Sequence, residues 1–442
     1  MHINYRKNTI IFFSFLVYLS YFLGFLFNEN SIGSGGYDGD ITWMWRNFEL
    51  FKNNNLIEAI NHEDFFGSRT PLLYIINIFL NPFVGDIYLF RLSIFFLSLL
   101  GPLFFFLCLK ERFKDTDKEL LLLISSIILL SPYFRSTAIW GLEINYGIIT
   151  MLVSFYYIIK LENKNLKPNI YQILILVFFS SICVYFDQKL LFVPILALIK
   201  IFLLKKNLRI KITATLIYFL LAIPFIYLII QWKGIVPPAT QAANLGFATN
   251  TQSFNLDYQN IGYATTILGL YLFPIIFLLG DYSFKKFYYY FRKNFLFIAG
   301  FFLIYLFFFL YFDWYNLAQK LLPKSTEYLG GTYGLGFVNK LAFIFFTNSL
   351  LQKTFVFLSF FLSWIIVTIF FNNKIKNCLL ISYFYLIALV ITPLHQEHFD
   401  PYVLILALLC FDLKIKINFV NSVFIFLYFV SLLASAIIIR SF

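Results

Sequence analysis

Apolar residues in this chain come in long runs rather than in alternation. Thirteen of them read as helices that cross a membrane: 10–27, 87–109, 120–133, 144–159, 171–186, 190–204, 212–230, 264–280, 295–312, 355–371, 379–393, 402–413 and 420–439. A hydrocarbon core of about 30 Å takes about 20 apolar residues in helical form, and two of the runs, 120–133 and 402–413, are short for it. Backbone amides inside a bilayer have no water to bond, so such runs must be helices that pair their own N–H and C=O groups. The expected fold class is therefore all-α: a polytopic transmembrane protein of about 13 spans, read as one transmembrane domain over residues 1–442.

One stretch departs from the pattern. After Asp40, residues Ile41, Met44, Trp45, Phe48 and Phe51 recur on one helical face, with Thr42, Arg46, Asn47, Glu49 and Asn53 on the other. Trp43 and Trp45 suit the boundary between lipid and water, so an amphipathic interfacial helix is expected here, lying flat on the membrane in the first outer loop. Asp40 is positioned to cap it.

Composition agrees with a membrane protein, at 60% hydrophobic and 22% aromatic with only 13% charged residues. The net charge of +12 is mostly a topology signal. Connectors 110–114, 160–167, 205–211, 285–293, 374–376 and 414–416 are basic, and they are every second connector, which assigns them to the cytoplasm. Arg6 and Lys7 place the N-terminus there too, and Phe442 falls outside. The first run lacks a small-residue cleavage site and reads as a retained signal anchor. No solvent-exposed basic domain exists to serve nucleic acid, so that class of partner is excluded. Cys108, Cys183, Cys378 and Cys410 have no paired spacing and read as core thiols.

With the sides drawn, the unusual polar residues collect on the outer one. The first outer loop holds Asp38, Asp40, His62, Glu63, Asp64 and Arg69; the next holds Arg135 and Glu143, and the one after it Asp187, Gln188 and Lys189. A later loop holds His395, Gln396, Glu397, His398 and Asp400. Loops 231–262 and 313–354, rich in Gly, Asn, Thr and Tyr, are long enough to close over a substrate, and the glycines of 33–36 let backbone approach a ligand closely. His395 and His398 fall on one side of a helical turn, but two imidazoles without a clear third ligand do not make a metal site, and no metal is assigned. That cluster reads either as contacts to a substrate, through His395, Glu397 and His398, or as a capped loop with Asp400 ahead of Pro401.

Several of these segments resemble the GT-C superfamily of polytopic glycosyltransferases. Asp40 to Arg46, Asp-Ile-Thr-Trp-Met-Trp-Arg, resembles the acidic opening of the first outer loop in oligosaccharyltransferases. Thr70-Pro71-Leu72-Leu73-Tyr74, followed by Gly85 to Ser93 with Arg91, resembles the corresponding stretch of the protein O-mannosyltransferases and the lipid A aminoarabinose transferases. Ser131 to Arg135 and on to Glu143 resembles the next outer loop of that group. The likeness covers residues 8–205 as a core, and 206–442 adds further spans and loops. Thr70, Ser93 and Glu143 stand where the family carries Pro, Pro and usually Asp.

The resemblance implies a membrane enzyme that takes a sugar from a polyprenyl-phosphate donor outside the cytoplasm and passes it to a glycan, lipid or protein acceptor, with no cofactor assigned. It also implies the site. Asp40 is the expected base, with Asp38 second and Glu143 the second acid, because a carboxylate can take the proton of an attacking hydroxyl or amine. Arg69, Arg135 and Lys189 are the expected phosphate-binding residues, since cations offset the charge on the leaving group. Against these stand plainer roles: snorkelling for Arg135 and Lys189, neutralisation of Lys189 by Asp187, and pairing of Arg91 with Asp86 or a headgroup. Two other functions use the same lipid-linked substrates. A transporter or flippase would favour charges at mid-membrane and inverted repeats, and a polymerase a large outer loop with paired arginines.

Overall fold

The computed structural model describes residues 2–30, 37–67, 69–162, 169–204, 208–242, 260–279, 288, 291–312, 336–371, 375–391 and 394–441. Among them the regular structure is helical, and the sole β-type contact is an isolated bridge between Leu279 and Ile415. The chain divides into two compact units, Met1–Phe254 with Ile437–Phe442, and Asn255–Ala436.

In the first unit the helices are α1 (His2–Leu26), α2 (Tyr37–Asn53), α3 (Leu56–Asn61), α4 (Leu72–Leu80), α5 (Ile87–Ser98), α6 (Leu100–Arg112), α7 (Lys118–Ser126), α8 (Pro132–Trp140), α9 (Ile144–Glu162), α10 (Ile170–Phe186), α11 (Phe192–Leu203), α12 (Leu208–Trp232) and α13 (Pro238–Ala242). Their ends follow local chemistry. Asp86 caps α5 through the Leu89 N–H, Ser131 caps α8 ahead of Pro132, and Asn169 forms a capping box with Gln172 on α10. The end of α1 is a Schellman turn: the Glu29 N–H donates to Gly24 O at 2.8 Å and the Asn28 N–H to Phe25 O at 3.1 Å, with Asn28 at φ 50°. Asn tolerates that left-handed angle better than other residues with a Cβ. This turn aims two consecutive side chains, Asn28 and Glu29, back at the bundle.

Among the described residues, six helices are long and apolar enough to cross a membrane: Arg6–Leu26, Ile87–Arg112, Ile144–Glu162, Leu208–Trp232, Ser349–Phe371 and Phe419–Ile438. The expected run 120–133 is a broken element, Lys118–Leu130 and Pro132–Trp140 meeting at 67°. The break falls at Ser131-Pro132, where proline forces the preceding residue to extended angles (Ser131 ψ 120°) and cannot donate to the preceding turn. Ile170–Phe186, Asn260–Ile276 and Ile375–Val390 are shorter apolar helices, and the run 190–204 forms only the 12 residues of α11. Phe295–Phe312 is helical throughout. The run 402–413 keeps only eight helical residues, Tyr402–Leu409, all of them buried. At about 1.5 Å per residue that helix cannot cross a bilayer, so it is a core helix of the second unit. The chain is thus an all-α, membrane-embedded protein.

Within each unit the polar contacts join helix ends that the basic connectors assign to the same side. In the first, Lys7 pairs with Glu119 at 3.2 Å and Lys200 with Glu162, while Glu29 pairs with Arg135, Arg69 with Glu143 and Asp187 with Lys189. In the second, the Lys416 N–H donates to Leu278 O at 2.7 Å and the Asn260 amide to Ile391 O at 3.0 Å. The crossing of Asn260–Ile276 over Ser349–Phe371 is tight enough that a Cβ on Gly269 would lie 2.7 Å from the Ser363 Cα. Cys108, Cys183, Cys378 and Cys410 are free thiols, all at least half-buried, as the sequence implied.

The amphipathic helix forms, as α2, but its apolar face is covered by protein. Ile41, Met44, Phe48 and Phe51 are buried in one cluster with Phe65, Leu73, Tyr74, Phe90 and Trp232. Burying one such side chain contributes about 2 kcal/mol, so this stripe fixes α2 to the bundle. Asn47, expected on the polar face, is buried, because its amide donates to Phe66 O at 2.6 Å and to the Tyr74 hydroxyl at 2.9 Å. Helix α2 starts at Tyr37, so Asp40 lies in its first turn instead of capping it.

Candidate functional site

In the first unit, Arg69 sits on a turn that sets it against Glu143. Three side chains pin that turn. Asn47 holds Phe66 from α2, Thr240 of α13 both accepts from the Gly67 N–H at 2.9 Å and donates to Gly67 O at 3.0 Å, and Thr70 donates to Tyr185 O at 2.6 Å. Buried polar groups must find partners, and these bonds tie the turn to α2, to α13 and to the end of α10, which fixes Arg69 in position. Its Nη1 donates to Glu143 Oε1 at 2.5 Å, both side chains being mostly buried.

Glu143 follows the left-handed Gly141 (φ 77°) that ends α8, and its carbonyl receives the Tyr146 and Gly147 N–H groups of the first turn of α9. Gly141 is needed there for that angle. Among the described residues the second carboxylate oxygen of Glu143 has no hydrogen-bond partner. Tyr74 lies close by. Burial first, and the Glu143 charge second, push its phenol above the ordinary tyrosine value. Its oxygen accepts from Asn47, and among the described residues its own proton has no acceptor. The pair Arg69–Glu143 with the Tyr74 hydroxyl therefore offers a cation, an unfilled carboxylate oxygen and an O–H donor in one place.

Lys189 and Asp187 form a second pair, at 3.3 Å, beside the same turn of α9: a Cβ on Gly147 would lie 3.5 Å from that of Asp187. Asp187 also accepts from the Lys189 N–H at 3.1 Å, capping the 3-10 turn Gln188–Leu191. Lys189 is neutralised in place, not extended to the membrane surface.

Arg135 occupies a different setting from the one expected of a phosphate ligand. It is 2% exposed and grips Glu29 with two bonds, Nε to Oε1 at 2.8 Å and Nη2 to Oε2 at 2.6 Å. Its remaining N–H groups donate to Ser20 O at 2.6 Å, Ser20 Oγ at 3.1 Å and Leu129 O at 3.3 Å. All the donors of the guanidinium are thus used within the protein. Arg135 is a structural clamp between the end of α1 and α8, and it leaves no donor for a phosphate in this conformation.

Asp40 is exposed on α2. The side chain of Asp38 lies outside the described residues, as do residues 31–36, with their glycines, and most of the two long outer loops. In the second unit, His395, Glu397 and His398 flank a 3-10 turn, Gln396–His398. Gln396 anchors it by donating to the Tyr271 hydroxyl at 2.9 Å and accepting from the Phe337 N–H at 2.9 Å. His398 is buried, and the two imidazoles are 5.9 Å apart between centroids. Among the described residues no three His, Cys, Asp or Glu side chains are grouped to hold a metal ion.

Sequence reasoning passed over Glu29 and Thr240, set Asn47 on a solvated face and gave Gln396 no part of its own. Only Glu29 had a signal: an acid placed immediately after an apolar run on the side where the arginines fall. No known family model matches the chain, and no curated protein matches it significantly.

Proposed function

We propose that the protein is an integral membrane glycosyltransferase of the GT-C kind, its N-terminus cytoplasmic and its site extracytoplasmic. The observation that supports this reading is the pinned Arg69–Glu143 pair beside Tyr74, in the same unit as the exposed Asp40 of α2. In the reaction, an acceptor hydroxyl or amine attacks the anomeric carbon, the bond from that carbon to the phosphate oxygen breaks, and polyprenyl phosphate leaves. Asp40 takes the acceptor proton. Arg69 meets the phosphate by exchanging Glu143 for it, and Lys189 adds a second cation where it exchanges Asp187 in the same way. Arg135 is given a structural part.

Transfer is tested in proteoliposomes supplied with radiolabelled pentosyl and hexosyl polyprenyl phosphates. The expected result is release of polyprenyl phosphate with label in a new product. Passage of intact donor across the bilayer with no release would replace this reading with that of a flippase. Orientation is tested separately by a membrane-impermeant thiol reagent applied from outside the cell. The Asn61→Cys variant should be labelled and Asp115→Cys should not, both positions being exposed. The opposite pattern would invert the topology and remove the site from the outer face.

A further inference from the structure

Arg69, Arg135 and Lys189 each have a carboxylate of their own. Arg91 has none. The acid nearest in sequence, Asp86, caps α5 by accepting from the Leu89 N–H at 2.8 Å, and among the described residues Arg91 makes no ion pair. Its guanidinium is nevertheless firmly placed. It lies on the face of Trp140 at 4.1 Å from the ring centroid, with Phe25 at 5.7 Å; Nε donates to Ile139 O at 2.9 Å, and Nη2 donates to Asn28 Oδ1 at 2.7 Å. Trp140 is in turn held by its indole N–H on Glu29 O at 3.1 Å. Among the described residues, Nη1 and the second N–H of Nη2 have no acceptor.

A fixed cation with open donors and no counter-ion among the described residues is costly next to hydrocarbon unless an anion completes it. The surroundings indicate which anion. Phe22, Leu26, Phe27, Tyr88 and Phe96 are large apolar side chains exposed on α1, α5 and the turn after α1. They form an apolar surface at the same helix ends as the charge. We propose that Arg91, stacked on Trp140 and steered by Asn28, binds the phosphate of a membrane lipid whose chains lie along this surface. Two N–H groups of one guanidinium can meet two phosphate oxygens, which lysine cannot reproduce. The proposal does not depend on sugar transfer.

Native mass spectrometry of the purified full chain in detergent tests it, with phosphatidylglycerol, a polyprenyl monophosphate and inorganic phosphate added in separate arms. Wild type should retain at least one of the two lipids, Arg91→Gln should retain it about tenfold less, and Arg91→Lys should fall between. The lipid arm that responds identifies the source. Asn28→Gly keeps the left-handed turn and removes only the steering oxygen, so it should weaken retention several-fold with the fold intact, and it decides the matter if Arg91→Gln does not fold. Equal retention of both lipids by wild type, Arg91→Gln and Asn28→Gly would overturn the proposal. Displacement of the lipid by inorganic phosphate at the lipid's own concentration would overturn it as well, by showing a site for free anions.

Discussion

Replacing Arg135 with methionine should destabilise the first unit by about 3–5 kcal/mol, the cost of leaving a buried carboxylate without its partner. At roughly 2–4 °C per kcal/mol for a unit of this size, thermal unfolding in detergent should fall by on the order of 10 °C. Glu29 is the group left behind, together with the carbonyls of Ser20 and Leu129, which lose the N–H groups that Arg135 donates to them. Lysine at position 135 should recover little, because it cannot form the two-bond grip and fill three further acceptors at once. The double variant Arg135→Met with Glu29→Gln should be more stable than Arg135→Met alone, since the unpaired charge is gone. Gly24→Ala tests the same place from another side: its Cβ would come within 2.6 Å of Glu29 Oε2 and 2.7 Å of Arg135 Nη2, so the pair would have to part. Losses below about 1 kcal/mol for each single variant, adding simply in the double, would mean that water already screens the pair and that it clamps nothing.

This clamp shows where reading the sequence succeeds and where it stops. Elements set by neighbours in sequence were legible. Apolar runs became helices, and residues such as Asp86, Ser131-Pro132, Asn169 with Gln172 and Gly141 mark helix ends for reasons visible within a few positions. The break at Ser131-Pro132 carried its own signal as well, and the eight-residue Tyr402–Leu409 was apolar on every side, which is the mark of a buried helix. Partnership was not legible. Arg135 and Glu29 lie 106 residues apart, and Arg69 and Glu143 lie 74 apart. Nothing local says that one arginine is clamped by Glu29 with all its donors filled while another is set against Glu143.

Asn47 failed for the same reason. Its amide looked like part of a solvated face because its partners, Phe66 and Tyr74, are separated from it by the whole loop. Covering the apolar face of α2 by Phe65, Tyr74 and Phe90 likewise depends on long-range packing, so an amphipathic pattern alone could not decide between protein and lipid as its partner. The residues proposed for the site were chosen by type and side, and their proposed division into structural and chemical groups rests on their partners in the fold.

That division sharpens the expected behaviour of the site. Asp40→Asn should lower transfer by about 10²-fold or more with the protein intact, because an amide of nearly the same shape cannot take the acceptor proton. Asp40 is exposed, so no packing is lost, and unfolding temperature should not move. Asp38→Asn should reduce the rate less. Glu143→Gln should behave differently from both. An amide oxygen still accepts from Arg69, but the opposing charge is gone, so the arginine is easier for a donor phosphate to capture. The expected signature is a lower KM for the lipid-linked sugar, with kcat changed by less than in the Asp40 variant. Arg69→Ala should raise that KM, and Arg69→Lys should raise it less. If instead Asp40→Asn turns over at the wild-type rate while Glu143→Gln loses kcat, the proton goes to Glu143. Its open carboxylate oxygen next to the Tyr74 hydroxyl would then be the base, and Asp40 would be a surface acid in the first turn of α2.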